Sequence, residues 1–389
     1  MKTDRILFYT TCFLVAIGIV FSLSLSVFTV LLFDYSHLHF FIRQFIVGSF
    51  GIFLMWVLSK INPYKFLTPL CLFMFLSMLF LMIIMPFLPS SIVREVNGAA
   101  RWIRLSGFSF APVEFFKIGF IYFLAWSFTR KIGNFKKTFG AEIMTLMPYI
   151  VVFMIIIYII GVLQNDLGQI VVLGLVLIFM VLLAGTSFKI FIFGVCLVAF
   201  VVVLAINTSE HRIDRIMSWW AGSQDIVLSF LPDDIASRLQ VEGGETPYQV
   251  SHSINAINNG GFFGEGIGLG TFKLGFLSEV HTDFVLAGIA EEMGFVGICF
   301  VVGLFFILLY RIFKIGERSQ NKVYYLFCMG IALMFLFTMM INGYGITSLI
   351  PIKGIAVPFL SYGGSHLLAA CTSIGLILMI SKYSKLGIK

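Results

Sequence analysis

Ten separate apolar runs punctuate this chain, each long enough, at about 17 residues or more, for a helix to cross a hydrocarbon core roughly 30 Å thick. They fall near 7–33, 41–59, 66–88, 113–129, 146–163, 168–184, 188–206, 283–310, 324–342 and 364–381. Composition agrees. Of the 389 residues 59% are hydrophobic and 12% charged, where soluble domains hold about 45–50% and 25%. The pattern predicts an all-α, polytopic fold of ten transmembrane helices forming one membrane domain over residues 1–389. The first run follows Met1, Lys2 and Arg5, but it is too long for a signal-peptide core and lacks a small-residue cleavage site. It is read as a membrane helix.

Ten crossings put both termini on one side, and the basic residues of the short loops say which. Arg130, Lys131, Lys136 and Lys137 share one terminal-side loop, and Arg311, Lys314, Arg318 and Lys322 share another. The opposite short loops carry only Arg94, Arg101, Arg104 and Lys353. Positive charge stays inside, so both termini are expected to be cytoplasmic. The formal charge of +7 then reads as anchoring to anionic headgroups rather than as affinity for nucleic acid. The cysteines all lie in expected spans without metal-type spacing, and they read as small buried residues.

Residues 207–282 form one long extracytoplasmic loop in this reading, and long loops in compact proteins are commonly functional. Its later part, TPYQVSHSINAINNGGFFGEGIGLG, is dense in Asn and Gly, which supply tight turns. Residues 207–283 hold ten acids against four bases, an awkward field for an anionic substrate. A divalent cation such as magnesium or manganese, or a partner protein, would offset it. No ligand cluster is firm enough to name metal residues.

Ionisable groups within the spans are few, and each costs several kcal/mol unless paired or facing a wet cavity. Arg43 lies near the outer end of the second span. Glu114 and Lys117, three residues apart at the start of the fourth, share a helix face and either neutralise each other or serve a cavity. In SEVHTDFVLAGIAEE, Asp283 lies at the outer mouth beside His281 and Thr282. At 1.5 Å and 100° per residue, Glu292 sits roughly 13 Å deeper and about 180° round. Glu291, about 80° from Asp283, could border the same cavity, but the more economical reading makes Glu291 and Glu292 structural, pairing with a basic group on another helix. Asp283 admits two readings: a helix N-cap, or a half-buried carboxylate whose pKa suits proton transfer.

Two further stretches lie on the same side. NGAARWIR places Arg101 and Trp102 before the fourth span, as diphosphate and sugar contacts or as an interfacial anchor. PIKGIAVPFLSYGGSH has two prolines and three glycines and cannot be a plain helix. A re-entrant loop there makes Lys353 and Ser361 candidate cavity residues; otherwise the segment merely turns.

NGAARWIR with APVEFFK, QNDLGQ, GGFFGEGIGLG, SEVHTDFVLAGIAEEMG and IPIKGIAVPFLSYGGS, in this order, resemble the SEDS family (shape, elongation, division and sporulation). Within it they look more like the FtsW, cell-division branch than the RodA branch. The resemblance implies polymerisation of lipid II into glycan strands with release of undecaprenyl diphosphate, on the outer face of the cytoplasmic membrane. It implies Asp283 as the catalytic carboxylate. His281 and Thr282 of the same block, Arg101, Trp102, Glu114, Lys117, Lys353 and Ser361 map onto substrate-binding positions. Arg43, Asp166 of QNDLG, Glu291 and Glu292 are expected to be structural. The implied partners are a class B penicillin-binding protein and other divisome membrane proteins. Three departures stand out: APVE for QPSE, QNDLG for QPDLG, and Ser278 for a proline. None removes an ionisable group. The rival functions are a lipid II flippase or other transporter, and the RodA-type elongation polymerase.

Overall fold

A computed structural model describes residues 3–93, 100–105, 108–132, 138–207, 210–229, 248–277, 280–352 and 354–384. Lys353, Ser278, Glu279 and the acidic stretch around Asp233 and Asp234 lie outside the described residues. Helices dominate: α1 (Arg5–Ser24), α2 (Val27–Leu32), α3 (His39–Lys60), α4 (Pro63–Ile84), α5 (Pro112–Lys131), α6 (Phe139–Ile157), α7 (Leu167–Leu183), α8 (Phe188–Asn207), α9 (Glu210–Leu228), α10 (Tyr248–Gly260), α11 (Val285–Glu317), α12 (Lys322–Ile346) and α13 (Gly364–Ser381). A two-stranded antiparallel hairpin, β1 (Ile103–Leu105) and β2 (Phe108–Phe110), pairs Ile103 with Phe110 just before α5.

Among the described residues, seven helices are long and apolar enough to cross a membrane: Arg5–Ser24, His39–Lys60, Pro63–Phe87, Phe139–Leu163, Val285–Glu317, Lys322–Ile346 and Gly364–Ser381. Helices α7 and α8 coincide with two further expected spans but have shorter apolar stretches. The last expected span is α5, which carries Glu114, Lys117, Arg130 and Lys131.

Helix ends follow from local sequence. Asp4, Asn62, Asp166 and Asn321 each accept a backbone N–H at the start of α1, α4, α7 and α12, satisfying donors that have no intrahelical partner. Helix α13 is the central element, with 83% of its apolar window buried against 28% for α3 and α4. The outer helices therefore present large apolar side chains such as Phe50, Phe73 and Phe306 to the exterior, as lipid allows. At the terminal end, Arg311 of α11 pairs with Asp4, and Ser381 of α13 accepts from the Asp4 N–H at 3.2 Å. Three helices are thereby tied at one level.

Two of the expected boundaries differ. The first apolar run breaks at Leu25–Ser26 into α1 and α2. Helix α11 is broken at Gly294, whose φ of 67° and ψ of −168° leave the helical region.

The expected long outer segment is partly structured, as its sequence suggests. Its described residues include α9 and α10, and the coil after α10 packs along α11 at the Gly294 break. Glu265 and Gly266 donate to the Glu291 and Glu292 carbonyls at 3.0 Å, while Phe295 and Val296 donate to the Gly261 and Phe262 carbonyls. The coil thus supplies partners that a broken helix lacks, which non-helical backbone at membrane depth requires. This approach needs glycine: a Cβ on Gly264 would stand 2.4 Å from the Glu292 carbonyl oxygen.

Candidate active site

Residues 280–284 form a turn between that coil and α11. Phe284 occupies the N-cap of α11 and no side chain caps this end, so Asp283 stands one residue outside the helix, half-buried. The N-cap reading of Asp283 is not what the fold uses. Three successive carbonyls, which lie outside the helical ladder, each find a donor. The Tyr362 N–H donates to His281 at 2.9 Å, the Ser361 hydroxyl to Thr282 at 2.6 Å, and the Asn342 amide to Asp283 at 2.6 Å.

The donors come from two places. Asn342 is on α12 and also donates to the Ile355 carbonyl at 2.8 Å. Ser361 and Tyr362 belong to the irregular residues 354–363, whose middle is deeply buried: Ile355, Val357, Phe359, Leu360 and Ser361 are at most 2% exposed. The segment dips against the middle of α1, where a Cβ on Gly18 would meet the Phe359 carbonyl oxygen at 2.2 Å. It is a re-entrant loop, as its prolines and glycines predict. The Asp283 carboxylate lies against it. A Cβ on Gly354 would fall 2.3 Å from Asp283 Oδ2, and the residue before Gly354 is Lys353.

Ser361 is fully buried, and its hydroxyl also accepts from the Val357 N–H at 2.7 Å. Both bonds hold the loop to the turn. His281 is 5% exposed, its ring packed between Phe40 and Tyr362. Thr282 is half-buried.

A second polar cluster lies on α5, α7 and α13. Lys117 Nζ is 2.9 Å from Glu114 Oε2 and 2.8 Å from Gln169 Oε1. Gln169 donates to Glu114 Oε1 at 3.3 Å, and His366 Nδ1 lies 2.9 Å from Glu114 Oε2. The pair read from spacing is thus one side of a four-residue network. A cavity of about 10 Å³ adjoins it, lined by Thr338, His366 and Ser373 among others, with room for about one water.

Arg101 and Asp166 make a third group. Arg101 Nε lies 3.5 Å from Asp166 Oδ2, and the guanidinium donates to the Gln164 and Asn165 carbonyls at 3.3 and 2.6 Å. Burial pushes the Asp166 carboxyl pKa up, and Arg101 opposes the rise. Trp102 is half-buried at the start of the hairpin.

The deeper acids hold the coil. Glu292 is paired with Lys273 at 2.6 Å and accepts from Ser24 of α1 and from the Gly268 N–H. Glu291 accepts from the Thr271 and Phe272 N–H groups at 2.6 and 3.0 Å. The basic partner expected on another helix is instead Lys273 of the coil, and only Glu292 pairs with it. Among the described residues, no three His, Cys, Asp or Glu side chains gather to cage a metal ion.

Sequence reasoning missed Asn342, Gln169, His366 and Gln44, which donates to the Ser361 carbonyl at 3.2 Å. Their common signal is a hydrogen-bonding side chain within or beside an apolar run.

The FtsW/RodA/SpoVE model, described as "Cell cycle protein", matches residues 4–386. The chain belongs to this family. It is 48% identical over 387 residues to a Helicobacter pylori protein named "Probable peptidoglycan glycosyltransferase FtsW", covering 99% of this chain and 100% of that one. A Trichlorobacter lovleyi protein of the same name is 39% identical over 75% of this chain and 71% of its own length. Among solved structures, one described as "Structural coordination of polymerization and crosslinking by a peptidoglycan synthase complex" contains a chain that superposes with a TM-score of 0.73 at 23% identity, over 99% of each chain. The rod shape determining protein RodA of Thermus thermophilus superposes with a TM-score of 0.63 at 22% identity, over 99% of this chain and 98% of that one. These superpositions establish the fold: a multi-pass membrane protein of the SEDS type.

Proposed function

We propose that this FtsW/RodA/SpoVE family member is a peptidoglycan glycosyltransferase that polymerises lipid II during cell division. The full-length similarity to a protein named for that activity carries the reading. Asp283, half-buried in a turn whose carbonyls are held by three separate donors, is the general base.

In the reaction the 4-hydroxyl of the acceptor sugar gives its proton to Asp283 as its oxygen bonds to the anomeric carbon of the donor. The bond from that carbon to the lipid diphosphate breaks, and undecaprenyl diphosphate leaves with the bonding electron pair. A positioned base contributes about 10²–10⁴-fold, and a fixed backbone is what holds a short Asp side chain to that geometry. In this reading both termini are cytoplasmic and the turn faces the outer side of the cytoplasmic membrane, which the concentration of basic residues in the terminal-side short loops supports. A class B penicillin-binding protein and other divisome membrane proteins are the partners, a reading supported by the fold shared with a chain of a peptidoglycan synthase complex. A divalent cation would offset the acidic outer segment.

The test is the purified protein in liposomes with lipid II, with and without a class B penicillin-binding protein and magnesium or manganese. Glycan strands resolved as a ladder on a gel support the reading. Lipid II crossing the bilayer without polymer would replace it with transport.

A further inference from the structure

Arg43 stands exposed in the first turns of α3, where water and headgroups can satisfy a guanidinium. His366 has no such outlet. It lies in the first turn of α13, its side chain 14% exposed, with Nδ1 2.9 Å from Glu114 Oε2. Glu114 is the carboxylate of an ion pair with Lys117, so it accepts, and Nδ1 carries the proton. In a neutral imidazole Nε2 is then a bare acceptor. This atom is buried, and no donor among the described residues meets it.

Lys117 presents the complementary imbalance. An ammonium has three N–H donors, and among the described residues Lys117 meets two acceptors, Glu114 Oε2 at 2.9 Å and Gln169 Oε1 at 2.8 Å. One N–H is left over. Lys117 and His366 line the same cavity of about 10 Å³, together with Thr338 and Ser373, at the lower bound of what holds one water. The two hydroxyls give their protons to the Met334 and Ala369 carbonyls at 2.7 and 2.9 Å, so each has only lone pairs to offer. A single water satisfies all of these groups. It accepts from Lys117, donates to His366 Nε2, and donates its second proton to Thr338 or Ser373. About three polar partners is the usual complement of a buried water.

We propose that this cavity is a one-water site that closes the network of Glu114, Lys117, Gln169 and His366, and that His366, fixed as the Nδ1–H tautomer, is a positioning residue for the Asp283 turn. The route is short. Ser365, beside His366, accepts from the Ala111 N–H at 3.1 Å at the start of α5 and donates to the Ser109 carbonyl of β2 at 2.9 Å. The first turn of α13 is thus docked by two neighbouring side chains. Earlier in the same stretch, Ser361 holds the Thr282 carbonyl. A His366 ring free to rotate would loosen the end of the re-entrant loop against which Asp283 lies. The positioning role rests on the glycosyl-transfer reading; the water and the tautomer do not.

The test therefore has two arms. Full-length protein carrying isotope-labelled histidine in lipid nanodiscs is read by solid-state NMR at about pH 8, where an ordinary imidazole is neutral. The His366 signals are assigned by their loss in His366→Asn or His366→Gln. The expected spectrum has a protonated Nδ1 and an unprotonated Nε2 that receives magnetisation from water. A protonated Nε2, or an Nε2 that water does not reach, overturns the site. In lipid II polymerisation, His366→Asn, whose amide keeps a donor near the Nδ1 position, is expected to retain most of kcat. His366→Leu should lose about tenfold in kcat with KM near wild type, in the range of one lost hydrogen bond. Equal loss in the two variants, or a rise in KM alone, overturns the positioning role. A wild-type protein that forms no polymer removes that role together with the glycosyl-transfer reading, while the spectrum alone decides the water site.

Discussion

Asn342 uses both protons of one amide to hold Asp283 and the re-entrant loop together, donating to the Asp283 carbonyl at 2.6 Å and to the Ile355 carbonyl at 2.8 Å. The two carbonyl partners fix which way the amide points, because a flipped amide would face them with its oxygen. Asn342 is 2% exposed, and among the described residues its Oδ1 has no hydrogen-bond partner. An orphaned buried acceptor costs about 1–3 kcal/mol. The residue accepts that cost for the sake of its two donors.

Replacing Asn342 by Leu, similar in size, is therefore expected to lower kcat for lipid II polymerisation about 100-fold with KM near wild type, because small displacements of a reacting group cost that much. Removal of the orphaned oxygen offsets part of the lost bonding, so thermal unfolding in detergent should shift little. An unchanged kcat in a folded Asn342→Leu protein would remove Asn342 from the positioning of Asp283.

Much of this fold was legible in the sequence, because a bilayer admits few solutions. Long apolar runs mark the helices, and Pro351, Pro358, Gly354 and Gly363 mark the re-entrant loop. The i, i+3 spacing of Glu114 and Lys117 gave their pairing. The coil after α10 was illegible for a physical reason: its glycines have the composition of a solvated loop, yet they serve close backbone contact with α11. Lys273, read as an outer-loop residue, is consequently the buried partner of Glu292. Gly294 breaks α11 inside an apolar run, where composition gives no warning. Asn342 is one amide within an apolar helix, and nothing local says which carbonyls it meets.

The Glu292–Lys273 pair is almost wholly buried, with side-chain exposures of 0% and 2%. Removing one partner leaves a buried charge, so Glu292→Gln or Lys273→Met alone should destabilise by about 3–5 kcal/mol. The double variant Glu292→Leu with Lys273→Met should recover a large part of that. A thermal-unfolding cycle over the four proteins checks the coupling.

Gly294 and Gly264 approach so closely that a Cβ on Gly294 would stand 2.3 Å from the Gly264 nitrogen, at a φ of +67°. Gly294→Ala combines overpacking with a left-handed backbone and should cost about 2–4 kcal/mol. Gly303, on the same helix with nothing within 4 Å of its Cβ position, is the control. Gly303→Ala should leave unfolding unchanged or slightly strengthen the helix.

Asp166 gives a pH dependence. Burial raises its pKa above the ordinary 3.8 despite Arg101, so the folded protein holds this proton to a higher pH than the unfolded chain does. Stability from this group falls as pH rises through the raised pKa. The unfolding-temperature difference between wild type and Asp166→Asn should therefore move in favour of wild type as pH is lowered from about 7 to about 4. Movement in the opposite direction would mean that Arg101 outweighs burial.

The central claim is that Asp283 takes the proton of the attacking hydroxyl. The direct measurement is lipid II polymerisation by purified Asp283→Asn beside wild type, each matched for folding by thermal unfolding. Loss of a positioned base is worth about 10²–10⁴-fold, so the glycan ladder should vanish while the unfolding temperature stays close to wild type. A folded Asp283→Asn protein that polymerises lipid II at the wild-type rate would contradict the account.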